Sequence, residues 1–401
     1  MASTKIGLLT SCFNCVSNNY AKLVLLPFAK KGQLIINQIT TTCDLIVFMV
    51  KKKCVGMLKQ MSDNKANDIV GTVMLRNHTQ PAPVPVIESV CKAVVFEGGG
   101  VAGVAHAGVL KVLDVQGKLK EVTHWGGSSA GSIAAAACAC GLTTEQIQDV
   151  LVNTDFEKFK DDSPGYIIDT WRLLNDFGWY KGDALEEWFG DVLEKYVGDR
   201  NITLKKLFET KGSFLLITVT DINMGTTVYM THESHPDMKI KTAVRRSASI
   251  PIIFKADKEK LPTMVLDEKT GNVVEKQIDH YFVDGGILDN YPIKEMYKYV
   301  GKENVIGIKL MSSLEIGKLH NPYISDVPNP PQNIFSYVML LISMLRSNSL
   351  KMHIDDEDWE RTIKVDVKDV SSTNFDITEK DRQFLLQQGT LAANNFLSLH
   401  F

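Results

Sequence analysis

Between Lys92 and Gly141 the chain passes twice through one order: a short apolar run, a glycine-rich turn, then a helix-forming run. No other feature constrains the fold as strongly. In the first pass, "KAVVFE" (Lys92 to Glu97) is short, apolar and rich in β-branched residues, as a buried strand is. Gly98, Gly99 and Gly100 follow it, and Val101 to Val115 reads as a helix that ends at Gly117. In the second pass, "VTHWG" is the strand, "GGSSAGS" (Gly126 to Ser132) the turn, and "AGSIAAAACACG" a buried helix stopped by Gly141. Strand–helix–strand–helix order predicts a parallel sheet covered by helices, with both glycine turns at the C-terminal ends of adjacent strands.

The rest of the sequence extends this pattern. Thr143 to Asn153 and "DALEEWFGDVLEKYVG" read as amphipathic helices, "KIKTAVRRSASIP" as a helix that ends at Pro251, and "TEKDRQFLLQQGTLAANNFLSLHF" as a terminal helix. "SFLLITVTDI", "TTVYMTH" and "NVIGIKL" read as strands, and "HYFVDGGILDNYP" as a strand running into a glycine turn. Residues 1–61 alternate apolar runs with lysines and read as a helical extension whose basic flanks suit an anionic membrane face. Pro81, Pro83 and Pro85 make residues 62–88 an extended linker, which sets the main domain at 89–401. "IFSYVMLLISMLRS" (Ile334 to Ser347) is too short to span a bilayer. A helix buried against the sheet is the preferred reading, with a lid or membrane-facing helix as the alternative.

Composition narrows the function. A net charge of -3 argues against a dedicated nucleic-acid binder. The seven cysteines form no disulfide framework, and Cys12-x-x-Cys15 lacks a second pair at zinc spacing, so neither a metal nor any other cofactor is expected. Asn77 and Asn201 open glycosylation sequons, which matter only in a secretory compartment, and the first residues form no secretory leader. The expected location is cytoplasmic or peripheral to a membrane.

Three motifs carry chemistry. Gly127-Ser128-Ser129-Ala130-Gly131 fits G-x-S-x-G between strand and helix, where Ser129 would project from a sharp turn and the helix N-terminus would face the reacting oxygen. On its own, a packing turn and a nucleophile elbow remain equally good readings. Gly98-x-Gly100-x-x-Gly103 matches the dinucleotide fingerprint, but the second strand ends in Trp125-Gly126-Gly127-Ser128 and not in an acidic residue. The competing reading makes the N–H groups at Gly98, Gly99, Gly100 and Ala130 an oxyanion hole. Asp284-Gly285-Gly286 follows an apolar strand, and Asp284 could act as general base to a serine, while Asp289 ranks lower. Lys239, Lys241, Arg245 and Arg246 read as a solvated basic helix face, or as ligands for phosphate head groups. Among the nine histidines none has a triad placement, and His280 reads as structural.

Taken together, Gly98-Gly99-Gly100-Val101-Ala102-Gly103, Gly127 to Gly131 and Asp284-Gly285-Gly286, in this order, resemble the patatin-like phospholipases, whose pattern is G-G-G-x-[KR]-G, G-x-S-x-G and D-G-[GA]. The softer matches "HAGVLKVLD", "DFEKFKDD", "WYKGDALEEWF", "TAVRRSASIPIIF", "GGILDNYPI" and "TNFDITEKDRQFLL" extend the resemblance over residues 92–398. It implies a three-layer α/β/α fold with a mainly parallel central sheet. It also implies a Ser129–Asp284 dyad without histidine, supported by Gly103, Gly127, Gly131, Gly285 and Gly286. The implied activity is hydrolysis of fatty-acyl esters of (lyso)glycerophospholipids taken from a membrane surface. Some members are effectors that need a host activator, so a protein activator and delivery into a host cell belong to the same expectation. One departure stands out: Ala102 occupies the family's Lys/Arg position. It motivates an alternative, a silenced scaffold serving as a membrane- or partner-binding module.

Overall fold

A computed structural model describes residues 90–161, 172–173, 175–267, 269–321, 323–324, 330–368, 370 and 375–400. The helical extension, the proline linker, the Cys12–Cys15 pair and the Asn77 sequon lie outside the described residues.

The described strands are β1 (Ala93–Phe96), β2 (His124–Ser128), β3 (Gly178–Tyr180), β4 (Phe214–Asp221), β5 (Thr226–Met230), β6 (Ile252–Phe254), β7 (Asp257–Leu266), β8 (Val273–Asp284), β9 (Val305–Met311) and β10 (Thr362–Asp366). The described helices are α1 (Ala105–Val115), α2 (Ala130–Ala139), α3 (Thr144–Val152), α4 (Asp183–Val197), α5 (Leu204–Lys211), α6 (Ile240–Ser247), α7 (Ile293–Val300), α8 (Ser313–His320), α9 (Ile334–His353), α10 (Asp356–Glu360) and α11 (Glu379–His400).

The main sheet runs β10-β9-β1-β2-β4-β8-β7, with β5 paired to β4. From β10 to β4 all neighbours are parallel, whereas β5, β8 and β7 join antiparallel. β1, β4 and β9 are buried along their whole length, which is why they read as continuous apolar runs. Alternate residues of β1 feed two cores. Val94 and Phe96 join the larger one, with α1, α2 and α11, while Ala93 and Val95 join a smaller one closed by Ile293 and Met296 of α7. Helices therefore cover both faces of a mainly parallel sheet, the three-layer architecture.

Several elements differ from the sequence expectation. The first helix begins as a 3-10 turn at Gly100–Val104 before becoming α1, because the glycine loop must first clear the sheet edge. α6 stops at Ser247 and not at Pro251. The long β7–β8 hairpin was not foreseen. β7 alternates half-buried with exposed residues, carries Pro262, and is the outermost strand, the one place in a sheet where proline costs no ladder bond.

α1 and α11 cross at glycines. A Cβ on Gly108 would lie 2.1 Å from the Leu386 carbonyl oxygen, and one on Gly389 would lie 2.0 Å from that of Ala105. No larger residue fits between the two backbones. The 3-10 turn Gly100–Val104 packs against α1, α2, α3 and α11, so the terminal helix supports the glycine loop.

Candidate active site

β1 and β2 pair in parallel with Phe96 opposite Gly127, so both chains leave the sheet at one edge. The glycine loop emerges from one and Ser129 from the other. Ser129 has φ 52° and ψ −127°, a region that side-chain-bearing residues rarely enter. The turn can close because its flanks lack side chains. A Cβ on Gly127 would sit 2.3 Å from the Gly131 carbonyl oxygen, and one on Gly131 would sit 2.4 Å from that of Phe96. Ser132 Oγ ties the turn from within, donating to the Ser129 carbonyl at 2.6 Å.

Asp284 arrives from the opposite direction on antiparallel β8. Ser128 pairs with Thr218 of β4, and the next β4 residue, Val219, pairs with Asp284. Ser129 Oγ donates to Asp284 Oδ2 at 2.6 Å, and Asp284 Oδ1 accepts the Gly286 amide at 2.7 Å. Both side chains are buried, at 6% and 4% exposure. Burial raises the Asp284 pKa above the usual carboxylate range, while the Ser129 hydroxyl, the Arg346 charge and the Gly286 amide pull it back. Asp289 is engaged elsewhere, accepting from the Tyr229 hydroxyl at 2.8 Å and the Tyr291 amide at 3.1 Å.

His280 and His106 are also engaged elsewhere. His280 Nδ1 meets Asp221 Oδ2 at 2.5 Å, and its Nε2 meets Thr263 Oγ1 at 2.7 Å. His106 Nε2 meets the Glu97 carbonyl at 2.9 Å, and burial pushes its pKa down to about 4, so it is neutral at pH 7.

The four sequence-predicted oxyanion donors separate into two groups. Gly98 does not belong with the others: its amide donates to the Asn290 carbonyl at 3.1 Å. Gly100 and Ala130 open a 3-10 turn and a helix, where the first N–H groups have no intrahelical acceptor, and both line cavities with Ser129. The Gly99 amide has no protein acceptor among the described residues. The amide of Ser129 itself is taken by Ser247 Oγ at 2.9 Å, and Ser247 Oγ in turn donates to Thr218 O at 2.6 Å.

Sequence reasoning missed Asn290. Its Nδ2 donates to the Gly98 carbonyl at 2.8 Å and to Glu97 Oε1 at 3.2 Å, and Glu97 pairs with the buried Lys309 at 2.5 Å. The only signal for it was its place in "GGILDNYPI". Ala102, at 2% exposure, is part of the apolar core.

Two cavities meet at Ser129. One is an apolar slot with about 40 Å³ of free room, walled by residues such as Ile133, Leu151, Phe159, Trp188, Phe254 and Phe375. The other, about 170 Å³, holds Asp284, Ile287, Met339, Ile342, Ser343 and Arg346 beside the serine. The preferred buried reading of the 334–347 helix is corrected here. Met339, Ile342, Ser343 and Arg346 share the face of α9 that lines this cavity, while Tyr337, Leu341, Met344 and Leu345 on the other face are exposed.

The basic run on α6 also needs correction. Arg246 pairs with Asp257 at 2.5 Å and Glu259 at 2.8 Å, Lys241 pairs with Glu187 at 3.0 Å, and Arg245 donates to Ser249 Oγ at 2.9 Å and to the Lys255 carbonyl at 2.9 Å. These three are buried, so they are internal ties, neither a solvated face nor a head-group site, while Lys239, just before α6, is exposed as expected.

The described residues hold no group of three or more His, Cys, Asp or Glu able to bind a metal, and no described helix is long and apolar enough to cross a membrane.

Comparison with known proteins identifies the family. The family model of patatin-like phospholipase matches residues 94–297. The "Uncharacterized protein YqhO" of Bacillus subtilis is 31% identical over 325 residues, 76% of this chain and 97% of that protein. The "Probable lipid hydrolase 463L" of Invertebrate iridescent virus 6 is 27% identical over 219 residues, 53% of this chain and 66% of its own. The crystal structure of VipD from Legionella pneumophila aligns with a TM-score of 0.48 at 17% identity, covering 82% of this chain and 72% of that one. A family match across about half of the sequence, together with a relative aligned along nearly its whole length, leaves one assignment: this chain belongs to the patatin-like phospholipase family.

Proposed function

We propose that the protein is a serine acyl hydrolase that cleaves fatty-acyl esters of (lyso)glycerophospholipids, with Ser129 as nucleophile and Asp284 as its base. One observation carries the reading: the 2.6 Å hydrogen bond from a serine on a strained elbow to a buried carboxylate, opening on an apolar slot. As Ser129 Oγ attacks the ester carbonyl, its proton passes to Asp284 Oδ2. The amides of Gly99, Gly100 and Ala130 are the candidate donors to the resulting oxyanion. When the tetrahedral species collapses, the ester C–O bond breaks and the leaving alkoxide takes the proton from Asp284. Water then gives a proton to Asp284 and attacks the acyl-enzyme, releasing the fatty acid and restoring the serine.

The surroundings suit a lipid. The slot, with about 40 Å³ of free room, would take the first carbons of the scissile acyl chain beside the ester. Phe375 is shared with an apolar groove of about 710 Å³ lined by Phe177, Trp179, Tyr180 and Ile252, which offers room for a second chain. The exposed face of α9 is suited to the surface from which the substrate comes.

The test is fatty-acid release from phospholipid vesicles together with Ser129 labelling by a fluorophosphonate. Ser129→Ala should lose both, and Asp284→Asn should lower turnover by ~10²–10⁴-fold. Full turnover in Ser129→Ala would overturn the reading. Wild-type protein that neither labels nor hydrolyses, even with cell extract supplying an activator, would favour the binding-module alternative that Ala102 motivates.

A further inference from the structure

The oxyanion-loop segment Glu97–Val104 contains no cation, because the family's basic position holds Ala102, which is packed in the core. A cation nevertheless reaches this loop from a distant part of the chain. Arg346 is the only charged residue between Ile334 and Ser347. A lone charge in an apolar stretch needs a partner. Its Nη2 donates to the Gly98 carbonyl at 3.1 Å, and the guanidinium shares a cavity with Gly100, Ser129 and Asp284. α9 also packs on the Gly285–Ile287 turn that follows Asp284, so the arginine is anchored over both halves of the site.

The Gly98 carbonyl is where such a cation can act. A peptide unit is planar, and in the trans form its C=O and N–H point in opposite directions. Fixing the Gly98 oxygen therefore fixes the Gly99 N–H, one of the candidate oxyanion donors. Asn290 Nδ2 holds the same oxygen at 2.8 Å, and the guanidinium supplies a second, charged bond. Glycines on both sides of this peptide offer little resistance to a flip that would turn the carbonyl toward the oxyanion. A cation on the carbonyl also polarises the peptide and makes its N–H a stronger donor.

We infer that Arg346 is a positioning residue for the reaction proposed above, standing in from α9 for the basic side chain missing at Ala102. It works through the Gly98–Gly99 peptide without touching the reacting atoms. Its separate pull on the Asp284 pKa would show in R346Q and R346M as a rise of the acid limb of kcat/KM, so kcat is compared on the pH plateau above that limb. The inference rests on the hydrolase reading, and its test separates the two.

Full-length wild type, R346K, R346Q and R346M are compared on phosphatidylcholine vesicles and on p-nitrophenyl butyrate, which carries no phosphate. R346M should lose ~10–10²-fold in kcat on both substrates with KM within about twofold, as expected for support given only to the transition state. R346K should recover part of the loss, and the melting temperature should stay within a few degrees of wild type. Should R346M fold poorly, the order Arg above Lys above Gln in kcat decides the matter. Wild-type kcat in R346Q and R346M overturns the inference. A loss confined to the phospholipid and carried by KM also overturns it, assigning the arginine to a head-group phosphate. So does an equal loss in all three variants that tracks a fall in melting temperature. If the wild type shows no Ser129-dependent turnover at all, the hydrolase reading is what fails, and the inference falls with it.

Discussion

At the scale of single residues, the site depends on a carboxylate held where it resists ionising. Asp284 is buried at the wall of a cavity, and burial raises its pKa despite the Ser129 hydroxyl, the Arg346 charge and the Gly286 amide. The sign follows directly. A base must be unprotonated, so activity falls as pH drops through a pKa that lies above the ordinary aspartate value of about 3.9. The acid limb of kcat/KM should therefore sit clearly above that value, and a limb at or below it would remove Asp284 from the base role. Folding responds in the opposite sense. The folded state holds this proton more tightly than the unfolded chain, so Asp284 contributes less stability as pH rises through the interval between its unfolded and folded pKa values. Ser129, Asp284 and the glycines of the candidate site could be singled out in the sequence because each stands in a local spacing between strand and turn. Asn290, Ser247 and Arg346 could not. Their hydrogen bonds span 192, 118 and 248 residues, and nothing in the local pattern encodes such a partner.

At the scale of elements, the misread segments share a cause: composition was read without knowing the neighbours. α9 is apolar nearly all round, which in isolation reads as a buried helix. Its faces in fact separate, with Met339, Ile342 and Arg346 turned to the site and Tyr337, Leu341, Met344 and Leu345 turned outward. α6 carries enough positive charge to read as a solvated face, yet Asp257, Glu259 and Glu187 draw its cations inward. The β7–β8 hairpin escaped notice because its charged, alternating pattern resembles a loop, while the strands buried on both faces were plain. The outward face of α9 gives a prediction at this scale. Replacing Tyr337, Leu341, Met344 and Leu345 together by serine should weaken binding to anionic vesicles at least ~10-fold, because interfacial affinity scales with apolar area. Hydrolysis of a soluble short-chain ester should stay within about twofold of wild type. Unchanged vesicle binding, measured by co-sedimentation, would assign this face another purpose.

At the scale of the whole described domain, the edge that carries the candidate site is assembled from segments far apart in the chain. The glycine loop follows the first described strand, the aspartate comes from antiparallel β8, one strand in from the β7 edge of the sheet, and α11 packs over α1. The glycine crossing of Gly108 with Gly389 brings these two backbones into near contact, and α11 also reaches the 3-10 turn that begins at Gly100. The consequence concerns the order of synthesis. Everything from β1 to β10 leaves the ribosome before Glu379, so the helix that braces the loop arrives after all of these strands. An emerging chain can pair its parallel strands and form the serine turn, yet it has nothing to seat α1 or steady the glycine amides. Such a chain should be inert toward lipid until α11 docks. Ribosome-stalled chains ending before Glu379 should leave Ser129 unlabelled by a fluorophosphonate, and released full-length chains should label. Labelling of the stalled species would mean that the loop sets itself without its brace.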